Sequence, residues 1–258
     1  MQGSTTAVSR RSVDWGLAFK ALVGLARDTG RTDHVFTIIS ALSGNTLERT
    51  YQAFRRTPHG KRLLTERATQ PTLAARVADT EWLRGMPDGS LGREYLKFMA
   101  RSKITSDGLT AAQDAGVDPN AALDVDEERQ YVADRLRDMH DLWHVLTEYG
   151  ADDTGEIANL WFSVGQFGNP GMAFIAFFGM IGGIPGAHLE WPRYCYRAYV
   201  RGRRALPLVS EPIEEMLHLP IDEARRRLRI SPTERAHPEG IRHGYRRDGA
   251  LGALSSAS

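Results

Sequence analysis

Apolar side chains recur every three to four residues along most of this chain, the spacing that gathers them on one face of an α-helix. Residues 13–26 and 127–148 show the pattern clearly, and Gly30 is placed to end the first of these helices. The segments between helices are short and contain Pro, Gly, Asn or Asp, which favour turns. We find no convincing pair of alternating strands joined by a hairpin turn. The sequence therefore predicts an all-α fold, and its length allows one large domain or two small ones.

The two ends of the chain differ in composition from its middle. The 258 residues suffice for a substantial core, and we predict a helical domain over residues 15–231. Residues 1–14 and 232–258 contain few large apolar side chains to offset the entropy of ordering, so we expect a disordered N-terminus and a mobile tail. The first dozen residues lack Asp and Glu, which is typical of a mitochondrial presequence and also of disordered bacterial N-termini.

Charge and cysteine content exclude several classes of protein. The formal net charge is +1, so the overall field offers no argument for a nucleic-acid partner. Cys195 is the single cysteine, which excludes an intramolecular disulfide framework and a cysteine-based zinc ribbon. A lone thiol also fits a reducing compartment.

Residues 157–189 contain no Asp, Glu, Lys or Arg. The apolar run within them is shorter than a membrane-spanning helix and is interrupted by Gly and Pro. One interpretation is a buried core helix. The other is a lipid groove or a membrane-facing surface, because Phe174, Phe177 and Phe178 exceed what one buried stripe of a helix can pack.

An arginine stripe follows this apolar stretch. Arg193, Arg197 and Arg201 are spaced i, i+4, i+8 and would share one helical face. Such a stripe is commonly a solvated face, but it can also attract anionic lipid headgroups at about 1 kcal/mol per basic residue. His188 and Tyr194 are candidate pocket residues only because they lie near this region.

The segment HDLWHVLTEYGADDTGE, residues 140–156, contains a group of candidate metal ligands. A helix would bring His140 and His144 within one turn, about 6 Å, with Asp141 on the neighbouring flank. Glu156 follows a polar turn and would lie in the first turn of the next helix, which can fold back antiparallel. Two imidazoles with one or two carboxylates suit Zn²⁺ and also non-haem Fe²⁺. The spacing is that of a metal site between two core helices.

Spacing alone leaves other interpretations open. Asp153 and Glu156 resemble a capping box, which would explain both residues without a metal. The two histidines would then be partly exposed residues of an amphipathic helix. Glu148 is a rival ligand at the next i+4 step. An HD-type phosphohydrolase would need a further metal-binding histidine upstream of this segment, and His34 is the candidate for it.

Three other segments accompany the HDxxH motif of residues 140–144 and its downstream Glu156. They are PDGSLGREYLKFM, GEIANLWFSVGQFGNPGMAFIAFFG and PIEEMLHLPIDEARRRLRI, at residues 87–99, 155–179 and 212–230. Together these segments resemble the ubiquinone biosynthesis protein 4 family, also called the coenzyme Q biosynthesis protein 4 family. The resemblance covers residues 15–231, and Glu148 departs from it at a position where a small residue is expected.

The resemblance implies a single-domain, all-α helical bundle that forms a homodimer and associates peripherally with the membrane where ubiquinone is made. That membrane is the cytoplasmic face of a bacterial inner membrane or, alternatively, the matrix side of the mitochondrial inner membrane. The implied partners are a polyprenylated hydroxybenzoate or another isoprenoid lipid, the other ubiquinone-biosynthetic enzymes and the membrane surface.

The resemblance also implies a reaction and a set of catalytic residues. His140, Asp141, His144 and Glu156 match the family's metal ligands, and we expect Zn²⁺, with Fe²⁺ or Mg²⁺ as alternatives. The implied activity is that of a carbon–carbon lyase, a decarboxylase that removes the ring C1 carboxylate of a polyprenylated 4-hydroxybenzoate, with or without C1 hydroxylation. The competing hypothesis is a scaffold or lipid-presenting protein with a structural metal. Four protein ligands would favour the scaffold, whereas three would leave a position for substrate.

Overall fold

The structure, a computed structural model, describes residues 13–28, 31–102, 125–187, 190–242 and 254–255. Within these residues the chain is almost entirely helical, which confirms the all-α prediction. The first half contains the helices α1 (Trp15–Arg27), α2 (Thr32–Leu42), α3 (Thr46–Phe54), α4 (Pro58–Glu66), α5 (Leu73–Ala78), α6 (Thr80–Arg84) and α7 (Leu91–Arg101).

The second half of the described chain contains the remaining elements. The α-helices are α8 (Glu127–Asp138), α9 (His140–Thr147), α10 (Asp153–Phe167), α11 (Pro170–Ala187), α12 (Glu190–Arg204), α13 (Ile221–Arg227) and α14 (Thr233–Ala236). Two 3₁₀ turns span Leu208–Ser210 and Ile213–Glu215, and the two-residue strands β1 (Ile241–Arg242) and β2 (Leu254–Ser255) pair antiparallel.

The helix boundaries follow local capping chemistry. The Ser90 side chain accepts a hydrogen bond from the backbone N–H of Arg93 and caps the start of α7. The predicted helix over residues 127–148 is present as two segments, α8 and α9, which meet at Met139. Met139 keeps right-handed dihedrals (φ −84°, ψ −11°), so the chain continues in helical form from α8 into α9.

Two hydrophobic clusters hold the helices together. The larger contains Trp143, Phe162 and Trp191, and it surrounds the region where α9 packs against α7 and α10. The smaller cluster is built by α1, α2 and Ile175 of α11. Helix α10 packs closely on α12. The approach requires a glycine at position 202, because a Cβ atom there would lie 2.1 Å from the carbonyl oxygen of Phe162.

The uncharged stretch is buried on one side and exposed on the other. Ile175 of α11 lies in the smaller cluster, whereas Phe177 is 45% exposed. Phe174 contacts Trp15 and Phe19 of α1, with ring centroids 6.0 and 5.4 Å apart, and both α1 side chains are exposed. We call these four aromatic residues, together with Phe178, the apolar face. Among the described helices, none is long and apolar enough to cross a membrane.

The predicted arginine stripe does not form one continuous surface. Arg193 is exposed, but Arg197 is hydrogen-bonded to Glu239. Arg201 is 2% exposed and donates to the carbonyl oxygens of Thr147 and Ser231, at 2.7 and 2.9 Å. The headgroup-binding interpretation is therefore wrong for Arg201, because interior carbonyl groups already bind its guanidinium. Of the two pocket candidates, Tyr194 is fully buried and His188 lies outside the described residues.

The two ends are described only in part. Residues 1–12, in the predicted disordered N-terminus, lie outside the described residues, as do 243–253 and 256–258 of the predicted tail. The tail nevertheless begins with an ordered segment, residues 232–242, in which His237 is fully buried and Arg242 is 6% exposed. This differs from the expected mobile tail, because buried aromatic and arginine side chains of α12 bind these residues.

Candidate metal centre

Three side chains from two helices converge on one point. Glu156 of α10 lies opposite His140 and His144 of α9. Its carboxylate oxygens are 3.6 Å from Nε2 of His140 and 3.4 Å from Nε2 of His144. One potential ligand atom from each residue lies within 4.8 Å of the others. The sequence prediction that these three residues meet therefore agrees with the geometry.

Both imidazoles use their second nitrogen to fix the ring orientation. Nδ1 of His144 lies 3.0 Å from the carbonyl oxygen of Tyr149, so it carries the proton and donates. Nδ1 of His140 lies 3.1 Å from the carboxylate of Asp141 and donates likewise. Nε2 of His144 is buried without a hydrogen-bond partner. Metal-binding histidines characteristically donate from one nitrogen in this way and leave the other free for the ion.

Asp141 does not join the converging group. Its carboxylate faces Nδ1 of His140 rather than the point shared by the two Nε2 atoms. The structure therefore differs from the four-ligand set that the family resemblance implies. In this arrangement Asp141 orients the His140 ring through Nδ1, and three potential ligands remain.

The start of α10 excludes the predicted capping box. Asp152, not Asp153, is the N-cap, and its carboxylate accepts from the N–H groups of Thr154 and Gly155, both at 3.1 Å. The position three residues after the cap is Gly155, which has no side chain to complete a box. Glu156 is one residue further on, where its carboxylate is free to face the histidines.

Glu148 is turned away from the histidines. It ends α9 in the left-handed conformation, with φ 65°, which glycine or asparagine adopts more readily. Its carboxylate pairs with Arg225 at 2.9 Å and accepts from Thr233. These contacts remove Glu148 from consideration as a rival ligand, and its backbone explains why a small residue is expected there.

The donor set fits a borderline transition metal. Two imidazole nitrogens and one carboxylate are typical of Zn²⁺ sites with an open position and of non-haem Fe²⁺ sites. Mg²⁺ is a poorer fit, because it prefers oxygen ligands throughout.

Comparison with known proteins identifies the family. Residues 5–234 match the model of the family described as coenzyme Q (ubiquinone) biosynthesis protein Coq4. The chain belongs to the Coq4 family. The ubiquinone biosynthesis protein COQ4 homolog, mitochondrial, of Rattus norvegicus is 30% identical over 212 residues, which cover 82% of this chain and 75% of that protein. The protein of the same name from Homo sapiens is 36% identical over 151 residues, 58% of this chain and 52% of its own.

A crystal structure supports the Coq4 fold. The protein, from Nostoc punctiforme PCC 73102, is assigned in its description to ubiquinone biosynthesis. It superposes with a TM-score of 0.59 at 19% sequence identity and covers 86% of this chain and 100% of its own. At that identity the similarity concerns the fold alone.

In the candidate centre of this Coq4 chain, His140 is protonated and lies between the carboxylates of Asp141 and Glu156. Burial opposes a charge on His140, but hydrogen bonds to Asp141 and Glu156 outweigh it and raise the pKa of His140 from its ordinary 6.5 to about 10. Burial also opposes the charge on Glu156, but the facing imidazoles of His140 and His144, whose Nε2 atoms lie 3.6 and 3.4 Å from its carboxylate oxygens, hold the pKa of Glu156 below its ordinary value. A metal ion must therefore displace a proton from His140.

Metal binding by this Coq4 chain should strengthen as the pH rises above the usual titration range of histidine. His140 must lose its proton before Nε2 can bind an ion, and its pKa of about 10 retains that proton at neutral pH. We expect the apparent Zn²⁺ affinity to rise about tenfold per pH unit between about pH 7 and 8.5, with about one proton released per ion. Chelator competition and calorimetry in two buffers measure these quantities. An affinity that levels off above about pH 7 would contradict the expectation.

Sequence reasoning missed two residues that support His144. The Tyr149 carbonyl is one, and no pattern of side chains could have indicated a main-chain acceptor. The other is Phe98 of α7, whose ring stacks on His144 with centroids 5.4 Å apart. Phe98 belongs to the segment at residues 87–99 that carries part of the Coq4 resemblance, so a signal for it was present.

Proposed function

We propose that this chain is a metal-dependent decarboxylase of ubiquinone biosynthesis. It would remove the ring C1 carboxylate of a polyprenylated 4-hydroxybenzoate, with Zn²⁺ or Fe²⁺ held by His140, His144 and Glu156. Membership of the Coq4 family supports the pathway. The observation that carries the assignment of an enzyme is the convergence of three donor atoms while Asp141 stands outside the group.

A site with three protein ligands favours catalysis over a purely structural role. Structural zinc sites are closed by four protein ligands, whereas catalytic sites keep a position for water or substrate. A bound divalent cation supplies Lewis-acid stabilisation to a carboxylate or phenolate oxygen. The Tyr149 carbonyl holds His144 in the tautomer that leaves Nε2 free, and Asp141 would hold His140 in the same tautomer once its second proton is displaced. Phe98 covers one face of His144 and restricts the access of water.

The proposed reaction balances without an external oxidant. A proton adds at C1 of the ring, the bond between C1 and the carboxylate breaks, and its electron pair restores the aromatic ring as carbon dioxide leaves. When a hydroxyl group replaces the carboxylate, dioxygen and two further electrons must also be supplied. The residues of the centre are compatible with both outcomes, because they bind and orient oxygen groups in either case.

The apolar face suits the isoprenoid part of such a substrate. Trp15 and Phe19 of α1 meet Phe174 of α11, and Phe177 extends the exposed surface. Exposed aromatic patches of this kind mark lipid or protein contacts. We assign this face to the polyprenyl tail and the bilayer around it, in a bacterial inner membrane or on the matrix side of the mitochondrial inner membrane. Homodimer formation and recruitment of other pathway enzymes remain predictions.

Product analysis tests the proposed activity. A strain that lacks this protein should accumulate the polyprenylated acid, and purified protein loaded with metal should convert that acid and release carbon dioxide. An analogue without the isoprenoid tail should react more slowly, because it cannot use the apolar face. The scaffold hypothesis predicts a different result, in which the purified protein is inert and the other pathway enzymes leave the membrane in the deletion strain.

A further inference from the structure

A cluster of buried side chains lies directly beyond the helix that carries the two histidines, and the proposed chemistry does not use these side chains. Tyr149, Tyr194, Arg201 and His237 form this C-terminal cluster, and each is at most 2% exposed. The ring centroids of Tyr149 and His237 are 5.5 Å apart, and those of Tyr194 and His237 are 4.1 Å apart. The Arg201 guanidinium lies 5.5 Å from the centre of the Tyr149 ring.

A short hydrogen bond joins two members of the cluster. The Tyr149 hydroxyl lies 2.7 Å from Nε2 of His237. Nδ1 of His237 has no hydrogen-bond partner among the described residues, although a carboxylate oxygen of Glu239 lies 4.0 Å away. The nearby carboxylate favours the tautomer with the proton on Nδ1, in which Nε2 accepts from the hydroxyl. Burial and three neighbouring arginines lower the pKa of His237 to about 3, which keeps the ring neutral and able to accept.

The same region fixes the end of α9. Three carbonyl groups in the last turn of this helix accept hydrogen bonds from Arg201 and Arg225, at 2.7 to 3.1 Å. Carbonyl groups at a helix end have no partner within the helix, so these bonds replace water. The carbonyl of Tyr149, just after the helix, instead accepts from Nδ1–H of His144 at 3.0 Å.

We propose that Tyr149 and His237 are positioning residues of the metal centre. Their hydrogen bond anchors the Tyr149 main chain, and the Tyr149 carbonyl in turn holds the His144 ring with Nε2 directed at the metal. The anchor is needed because Glu148, immediately before Tyr149, has a φ of 65°, a conformation that costs free energy for a residue with a side chain. The inference rests on the proposed metal-dependent function. It means that His237, which follows the predicted helical domain of residues 15–231, contributes to the metal affinity.

Tyr149→Phe tests this pair with the loss of a single oxygen atom. The variant retains the ring against Tyr194 and Arg201, so we expect unchanged helix content. Zn²⁺ binding should weaken about tenfold, the usual cost of disturbing a group that supports a metal ligand. The d–d absorption of the Co²⁺-substituted protein should also change, because it reports the coordination geometry. His237→Leu should have the same effects, whereas His237→Gln retains an acceptor for the hydroxyl and should restore most of the affinity.

Two controls separate positioning from general stability. Tyr196→Phe removes a hydroxyl from a side chain that is 65% exposed on α12, and it should alter neither measurement. Ile38→Ala lies in the separate smaller cluster and should lower the free energy of unfolding without weakening Zn²⁺ binding. Wild-type affinity and a wild-type Co²⁺ spectrum in Tyr149→Phe would overturn the positioning role. Failure of the wild-type protein to bind any divalent metal would instead overturn the proposed function.

Discussion

Replacing His144 with alanine should reduce the divalent metal bound by the purified protein from about one ion per chain to background. His144 supplies a buried Nε2 that has no hydrogen-bond partner, and its loss leaves one imidazole and one carboxylate facing each other. Two protein ligands hold Zn²⁺ far more weakly than three. Elemental analysis after dialysis against a weak chelator measures the metal content directly.

A matched variant controls for the loss of a histidine as such. His218 is exposed and lies outside the group of potential ligands, so His218→Ala should retain the full metal content. Circular dichroism of both variants checks that the helices are intact. Full metal content in His144→Ala would exclude the site formed by His140, His144 and Glu156.

Glu156→Gln should abolish ubiquinone formation while the protein stays folded. The amide has nearly the same shape as the carboxylate, but it carries no charge and is a weaker metal ligand. Helix α10 should still form, because Asp152 and not Glu156 caps its first turn. Complementation of a deletion strain, with ubiquinone and the polyprenylated acid both quantified, measures the effect. We expect the acid to accumulate as it does without any protein.

Asp153→Asn is the corresponding control. Asp153 is an exposed carboxylate in the same helical turn, and it faces neither histidine in the converging group. Its variant should complement the deletion strain fully. Normal ubiquinone levels with Glu156→Gln would show that the carboxylate is dispensable, and they would return the centre to a structural or scaffold role.

Local sequence chemistry predicted the elements that carry the site. The i, i+4 spacing of His140 and His144 determines that they share a helical face, and a polar turn before Glu156 predicts the helix reversal. The end of the first helix was recognisable to within a few residues, because Gly30 follows its periodic apolar residues and α1 ends at Arg27. These features depend on neighbours in sequence, which is why spacing alone sufficed for them.

Features that depend on distant contacts were not predictable in the same way. Adjacent aspartates at 152 and 153 are equivalent in sequence, and only the structure shows that the first of them caps the helix. Arg201 looked like part of a surface stripe, since the carbonyl groups that accept its hydrogen bonds come from residues 147 and 231. The role of Asp141 depends on a side-chain rotamer, which spacing does not determine.

The division of the interior into two clusters affects how the molecule can respond to a lipid. The smaller cluster connects α1 and α2 to α11 and has no buried residue in common with the cluster around α9. Separate cores open as separate cooperative units. On the proposed function, we expect helix α1, which carries Trp15 and Phe19 of the apolar face, to loosen and admit a hydrocarbon chain of variable length. His140 and His144 of α9 belong to the other unit, so they can keep their alignment while α1 loosens. Substrates with isoprenoid tails of different length can then bind without a change in the position of the aromatic ring.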